Sequence, residues 1–271
     1  MKPLDLNGAV VVVTGAARGI GQATAEAFTT AGATVHRGDL DPAGDPTVHP
    51  LDVTSRASFA AFIDTVLAKS GHIDVLVNNA GVMPLGAFLD EPDEISRATM
   101  DVNVWGLIHG MRLVLPGMLD RHHGHIVNIA SMAGKIPFPG MAVYNASKYA
   151  AVGLTAAVRR ELHNTGVTAS AVLPSAVRTS LSSGVRLGGL LPTADPTDVA
   201  AAVLRTCRTR QPELAVPRWL GAWKTLDGLV PSRLMSQARR LAGDDRGLRL
   251  DTASRTEYVQ RITGFAESRK D

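Results

Sequence analysis

Tyr144 and Lys148 stand four residues apart in Tyr144-Asn145-Ala146-Ser147-Lys148, a spacing that puts a phenol and an ammonium on one helix face. A phenol ordinarily ionises near pH ~10, and a neighbouring cation favours the ionised form. Such a tyrosine can act as a general base near neutral pH and return the proton in the reverse direction. Ser131 lies thirteen residues before Tyr144 and follows an apolar run at 125–130 that reads as a strand. Its hydroxyl is therefore expected at the carboxyl edge of a sheet, where open α/β sheets bind ligands. Each feature has a plain structural alternative. A Tyr–Lys pair at helical spacing is commonly a surface pair, and a serine after a strand is commonly a cap.

A second chemical feature precedes these. Thr14-Gly15-Ala16-Ala17-Arg18-Gly19-Ile20-Gly21 sits between the first strand-like and the first helix-like segment. Glycines there let the backbone turn tightly and approach a pyrophosphate, whose charge rests on the helix N-terminus. The spacing is Gly-x-x-x-Gly-x-Gly rather than Gly-x-Gly-x-x-Gly, and its position opening a βαβ unit gives it weight. Asp39 closes the second strand, 24 residues after Gly15. A carboxylate there accepts hydrogen bonds from both adenosine ribose hydroxyls and repels a 2′-phosphate, which favours NAD over NADP. Arg18 and Arg37 are near enough in sequence to pair with a phosphate, which keeps NADP open, and Asp39 could instead be a turn residue. No metal site is expected.

These residues need elements to hold them. Apolar, β-branched runs at 9–13, 34–38, 47–52, 74–77, 125–130, 168–173 and 214–216 read as strands. The third of these is split by Pro50. Helical patterns fall at 19–31, 55–70, 92–119, 144–164 and 195–209, the last opened by an acidic residue and proline. Continuous apolar strands between amphipathic helices imply a doubly wound, Rossmann-like parallel sheet covered on both faces. Residues 175–191 form the longest stretch without clear periodicity and read as a functional loop.

The ordered set Thr14-Gly15-x-x-x-Gly19-x-Gly21, Asp52-Val53, Asn78-Asn79-Ala80-Gly81, Asn103, Ser131, Tyr144-x-x-x-Lys148 and Pro174-x-x-Val177-x-Thr179 resembles the single-domain short-chain dehydrogenases/reductases. The resemblance covers roughly residues 7–217. It implies a sheet of about seven strands and a tetrad of Asn103, Ser131, Tyr144 and Lys148. In that scheme Tyr144 is the acid/base and Ser131 polarises the substrate oxygen. Lys148 holds the nicotinamide ribose and lowers the tyrosine pKa, while Asn103 anchors a water in a proton relay. The resemblance also implies cofactor contacts from Gly15, Arg18, Gly19, Ile20 and Gly21. Asp52 and Val53 would face the adenine, Asn79 the adenosine ribose, and Val177 with Thr179 the carboxamide. The family usually has Pro-Gly where this chain has Pro174-Ser175, so the carboxamide contact is expected to shift slightly. The four-residue Tyr–Lys spacing with Ser131 argues against the enoyl-reductase relatives, whose tyrosine and lysine stand further apart.

Composition narrows the class. Of 271 residues 45% are hydrophobic and 20% charged, enough apolar material for a sizeable core and too much for disorder. The single cysteine, Cys207, forms no internal disulfide, which fits a reducing cytoplasm. No apolar h-region precedes Asp5, and no apolar run approaches the roughly 18 residues of a membrane span. The net charge of +3 is uneven. Residues 1–204 hold 14 Lys and Arg against 17 Asp and Glu, and residues 205–271 hold 14 against 8. No nucleic-acid-binding signature accompanies the basic end, so nucleic acid is not an expected partner.

Leu181, Val185, Leu187, Leu190 and Leu191 make the loop after Pro174 apolar, and Met83, Pro84, Leu85, Phe138 and Met141 could join them. Such walls suit a lipophilic alcohol or ketone of steroid, retinoid or alicyclic size. The same side chains could equally serve only to pack the loop. Residues 218–271 read as a helical extension of the 1–217 catalytic domain. Within 217–240, Trp219, Leu220, Trp223, Leu226, Leu229, Val230, Leu234 and Met235 alternate with basic residues and are interrupted at Pro231. Packing within the protein, where it could cover the active site, or on an oligomer partner is expected, with contact to a membrane surface as the alternative. By resemblance a homodimer or homotetramer is expected. Two other functional readings compete with the enzyme: an idle dinucleotide sensor or scaffold, and a peripheral membrane protein acting through its tail.

Overall fold

In the computed structural model, which describes residues 2–184, 192–222, 248 and 255–267, strand and helix alternate from the first elements. β1 (Val10–Thr14) leads through the glycine turn into α1 (Gly19–Thr30). β2 (Thr34–Asp39), β3 (Val48–Pro50), α2 (Arg56–Ser70) and β4 (Val75–Asn78) follow. α3 (Asp93–Met100), a π-helical turn (Asp101–Trp105) and α4 (Gly106–Asp120) run on as one helical stretch to β5 (Gly124–Ile129). α5 (Ala142–Glu161) and β6 (Val167–Pro174) come next. Then come the two-residue strands β7 (Ala176–Val177) and β8 (Thr193–Ala194), α6 (Pro196–Thr209) and β9 (Glu213–Val216). The last described helix is α7 (Thr256–Glu267).

Seven strands pair in the order β3-β2-β1-β4-β5-β6-β9, every pair parallel, and β7 pairs with β8 apart from them. Side chains of a strand alternate between faces, and β1 shows what that does here. Val10 and Val12 join one apolar cluster with Phe59 and Phe62 of α2, Met111 and Val114 of α4, and Ala151 of α5. Val11 and Val13 join the other with Phe28 of α1 and Val199 and Val203 of α6. Both faces are thus covered, which is why the strands read as continuous apolar runs. Phe28 and Phe59 are fully buried, each contributing roughly 2 kcal/mol of apolar burial. The strand order reverses at β1, which pairs with β2 on one side and β4 on the other. Loops leaving β1 and β4 therefore separate at the carboxyl edge and leave a crevice there.

Strand and helix positions read from the sequence agree with these elements to within three residues at each end. Two differences bear on the site. The stretch expected as one helix over 92–119 contains the π-helical turn, a device common where a helix must re-aim a side chain; it carries Asn103. The stretch 175–191, expected to be a loop, includes β7 and a 3₁₀ turn over Ser180–Ser182. Val185, Leu187, Leu190 and Leu191 lie outside the described residues, as do Trp223, Leu226, Leu229, Val230, Leu234 and Met235. Among the described residues no helix is long and apolar enough to cross a membrane.

Candidate active site

The glycine turn is built from inside the protein before any ligand enters it. Gly15 has φ +63° and Gly19 φ +57°, a region that side chains other than glycine rarely adopt. A Cβ on Gly15 would stand 2.8 Å from the Ala80 Cα, and one on Gly21 would stand 2.1 Å from the Gly15 carbonyl oxygen. Gly21 therefore serves the close packing of the turn on itself and is not on the cavity surface. A Cβ on Gly19 would meet only the Thr179 side chain, its methyl at 3.3 Å and its Cβ at 3.6 Å. The cradle is held by its neighbour across the crevice. Asn79 Nδ2 donates to the Thr14 and Gly15 carbonyls, both at 2.9 Å, and the Thr14 hydroxyl accepts from the Asn79 and Ala80 amides.

Asp39 is the last residue of β2. Asp39 accepts from the Ala17 amide at 2.9 Å and the Asp41 amide at 3.1 Å, so its carboxylate is fixed beside the turn. Both arginines that could take a 2′-phosphate already pair with carboxylates. Arg18 reaches Asp41 at 2.5 Å, and its hydrogen bond holds the Asp41 carboxyl below the usual range. Arg37 reaches Asp45 at 2.8 Å and donates to the Ala16 carbonyl. Asp52 accepts from the amide and hydroxyl of Thr54, turning the chain so that Val53 packs 3.0 Å from a Cβ position on Gly106.

At the other end of the crevice Tyr144 and Lys148 project from one face of α5. The Lys148 ammonium lies 5.7 Å from the Tyr144 ring centre and donates to the Ile129 carbonyl at the end of β5 at 3.0 Å. Ser131 follows β5, and its hydroxyl accepts from the Ala133 amide, capping the turn Met132–Gly134. Burial pushes the Tyr144 phenol up to about 12, while a hydrogen bond with Ser131 pulls it down. Burial brings the Lys148 ammonium down to about 8. In the protein alone each group loses water on its own account, and for both that loss is the largest cause of the shift.

Asn103 stands one layer behind. Its Nδ2 donates to the Val82 carbonyl at 2.9 Å and the Ser147 hydroxyl at 3.0 Å, and its Oδ1 accepts from the Val82 amide at 2.9 Å. It ties the loop after β4 to α5 and stands behind the residues that line the cavity.

A single cavity of about 370 Å³ joins these groups. Gly15, Arg18, Gly19, Ile20, Asp39, Asp52, Val53 and Asn79 line one end, and Ser131, Tyr144, Lys148, Val177 and Thr179 the other. Ser175, in place of the expected glycine, also lines it, and its buried hydroxyl has no hydrogen-bond partner among the described residues. Of the apolar wall read from the sequence, Met83, Phe138, Met141 and Leu181 are present, whereas Pro84 and Leu85 do not line the cavity. Leu220, read from the sequence as part of the amphipathic stretch 217–240, also lines the cavity, whereas sequence reasoning missed Ile136, Tyr258, Arg261, Ile262 and Phe265. For the last helix a signal was there: Tyr258, Ile262, Phe265 and Ala266 recur at helical spacing. Among the described residues no group of His, Cys, Asp and Glu could hold a metal ion.

The comparisons with known proteins follow the same geometry. The family model for short chain dehydrogenase matches residues 9–188. A Drosophila melanogaster dehydrogenase/reductase SDR family protein 7-like is 32% identical over 239 residues, covering 78% of this chain and 73% of the relative. The Escherichia coli (strain K12) oxidoreductase UcpA is 35% identical over 193 residues, 66% of this chain and 73% of the relative. Among solved structures, a short chain dehydrogenase/reductase from Burkholderia phymatum in complex with NAD superposes with a TM-score of 0.73 at 28% identity. That match covers 83% of this chain and 94% of that one. Ligand-free aldohexose dehydrogenase of Thermoplasma acidophilum gives 0.67 at 29% identity over 77% and 89%. With its parallel seven-stranded sheet, its glycine turn and its Ser131–Tyr144–Lys148 cluster, this chain belongs to the short-chain dehydrogenase/reductase family.

Proposed function

We propose that this chain is an oxidoreductase that interconverts a lipophilic alcohol and the matching ketone or aldehyde, using NAD in preference to NADP. The observation that carries the reading is the single cavity with a glycine cradle and Asp39 at one end and Ser131, Tyr144 and Lys148 at the other. The residues fit a dinucleotide. Gly19 opens a side-chain-free surface where a pyrophosphate would lie, and the orphaned Ser175 hydroxyl is a buried polar atom in want of a partner. The pairing of Arg18 and Arg37 with Asp41 and Asp45 favours the form without a 2′-phosphate. When bound, the nicotinamide supplies the acceptor or donor of hydride and, oxidised, a positive charge beside Tyr144.

The protein's own part is proton handling and position. Ser131 donates a hydrogen bond to the substrate oxygen, which fixes the carbonyl beside Tyr144. In reduction the Tyr144 hydroxyl gives its proton to that oxygen as it gains negative charge, and in oxidation the phenolate takes the hydroxyl proton back. Lys148, held on Ile129, would have donors left for the ribose of a bound dinucleotide, and its charge opposes the loss of phenolate stability caused by burial. Asn103 keeps the loop after β4 fixed against α5. Apolar walls from Met83, Phe138, Met141 and Leu181 exclude water and select a lipophilic body.

The reading includes a cytoplasmic, homo-oligomeric protein. The lone buried thiol Cys207 supports the first, and the exposed Trp105 and Tyr149 offer apolar area that a second subunit would cover. The deciding experiment is a fluorescence titration with NADH and NADPH, followed by cyclohexanone, 1-decalone and a 3-ketosteroid as reactants. Tighter NADH binding with turnover is the expected result, and failure to bind either dinucleotide defeats the reading.

A further inference from the structure

Arg255 is 2% exposed and immediately precedes α7, where the positive end of a helix makes a cation unfavourable. Its partners are carbonyl groups of two separate loops. It donates to the Leu181 carbonyl at 3.0 Å and the Ser183 carbonyl at 2.8 Å in the loop after β7, and to the Met83 carbonyl in the loop after β4. Among the described residues it pairs with no carboxylate. The guanidinium lies 4.5 Å from the centre of the Tyr258 ring, and the Tyr258 hydroxyl accepts from the Met83 amide at 2.7 Å. Both polar groups of the Met83 backbone are therefore held by residues 255 and 258. Burying a charge on backbone carbonyls alone is costly, and a position that served only to attach a helix would be met more cheaply by an apolar side chain. What the charge accomplishes is to bind together two loops that each carry an apolar residue of the cavity lining, Met83 on one and Leu181 on the other. One turn further on, Ile262 and Phe265 of the same helix line that cavity.

We propose that residues 255–267 form a clamp that completes the substrate end of the site, with Arg255 as the positioning residue that sets the distance between these two loops. The proposal rests on the reading that this cleft receives a lipophilic carbonyl compound, and it makes α7 the element that selects for size. Tyr258 belongs to the clamp, since its ring carries the guanidinium and its hydroxyl fixes Met83. Lysine at 255 would keep the charge but not the planar fork that reaches three carbonyls.

The test uses the full-length chain with Arg255→Met, Arg255→Lys and Tyr258→Phe, read by hydrogen–deuterium exchange, NADH titration and steady-state kinetics with the fastest ketone of the panel above. Exchange at the Met83 amide is expected to accelerate about tenfold in Arg255→Met, with KM rising about tenfold more than kcat falls. Tyr258→Phe, which preserves the ring, accelerates exchange at Met83 without doing so at 181–183, and Arg255→Lys falls between wild type and Arg255→Met. NADH affinity stays within about twofold throughout, because the cradle lies at the other end of the cavity. Unchanged Met83 exchange in both Arg255→Met and Tyr258→Phe, with NADH binding intact, overturns the clamp alone. A wild-type chain that binds no NADH defeats the reading of the cleft and takes the substrate role of Arg255 with it.

Discussion

Both edges of the sheet bury charged side chains, and they use them in opposite ways. At the amino edge the charges close the structure. Asp74 accepts from the Val10 amide at 2.9 Å and pairs with His72 at 3.1 Å, while Arg121 donates to the Gly117 and Ile73 carbonyls. Arg210 donates to the Gly124 carbonyl and the Thr168 hydroxyl, and Arg159 caps the Ala169 and Arg210 carbonyls. His125, fully buried, lies between the hydroxyls of Thr168 and Thr206. At the carboxyl edge Tyr144, Lys148, Ser131 and Ser175 instead face a cavity. Burial disfavours the charged form of the first two, raising the Tyr144 phenol to about 12 and lowering the Lys148 ammonium to about 8. Stability and reactivity thus sit at opposite ends of the same strands, so substitutions at each end should separate them.

The largest separation is expected from Tyr144→Phe, which removes one oxygen from the cavity. Turnover should fall at least about 10³-fold with NADH affinity and melting temperature nearly unchanged; retained turnover would place the acid/base elsewhere. Asp74→Ala is the converse. It leaves the Val10 amide without its partner and should cost about 2 kcal/mol of unfolding free energy, seen by urea titration, while activity per folded molecule is retained. A loss of kcat there would mean that the two edges are coupled.

A finer test uses pH. The Ser131 hydrogen bond lowers the Tyr144 pKa, so Ser131→Ala raises it. The rising limb of the alcohol-oxidation profile, which follows phenolate, should then move to higher pH, in addition to a fall in kcat. A limb that moves toward acid would show that Tyr144 is not the group titrating. The smallest effect belongs to the amino edge. Burial first, then Arg210 and Arg159, hold the His125 pKa well below 6.5, so the unfolded chain takes up a proton that the folded chain refuses. Stability present above that ordinary value is lost as pH falls below it. The melting temperature of wild type should drop between pH 7 and pH 5 more steeply than that of His125→Gln, and parallel curves would remove His125 as a cause.

The two edges were not equally legible in the sequence. The carboxyl edge announced itself because its chemistry is local: the glycine turn spans eight residues, and Tyr144 and Lys148 lie one helical turn apart. The amino edge did not, since Asp74 meets a β1 amide 64 residues away and Arg210 meets Gly124 across 86. Asn103 was found by its match to a motif, yet its work as a tie between Val82 and Ser147 depends on the π-helical turn that aims it. The tail was legible only in part, with Leu220 of the stretch 217–240 on the cavity and residues 223–240 outside the described ones. The Trp-rich stretch 217–240 looked amphipathic, while the helix that lines the cavity, Thr256–Glu267, was passed over because its apolar positions are few and its neighbours charged.

By itself, then, the amino-acid sequence determined the alternation of apolar strands and helices, the position of the phosphate cradle and the pairing of phenol with ammonium. All three depend on residue type and spacing within a few turns of backbone, where sterics and periodicity act directly. Tertiary structure alone decided the rest: that burial pushes Tyr144 up to about 12, that Asn79 both lines the cavity and holds the turn while Gly21 serves the turn, and that Arg255 reaches loops some 72 and 172 residues away. Desolvation and long-range hydrogen bonding are properties of which surfaces meet, and only the closed sheet with its helices packed on both faces settles which surfaces those are.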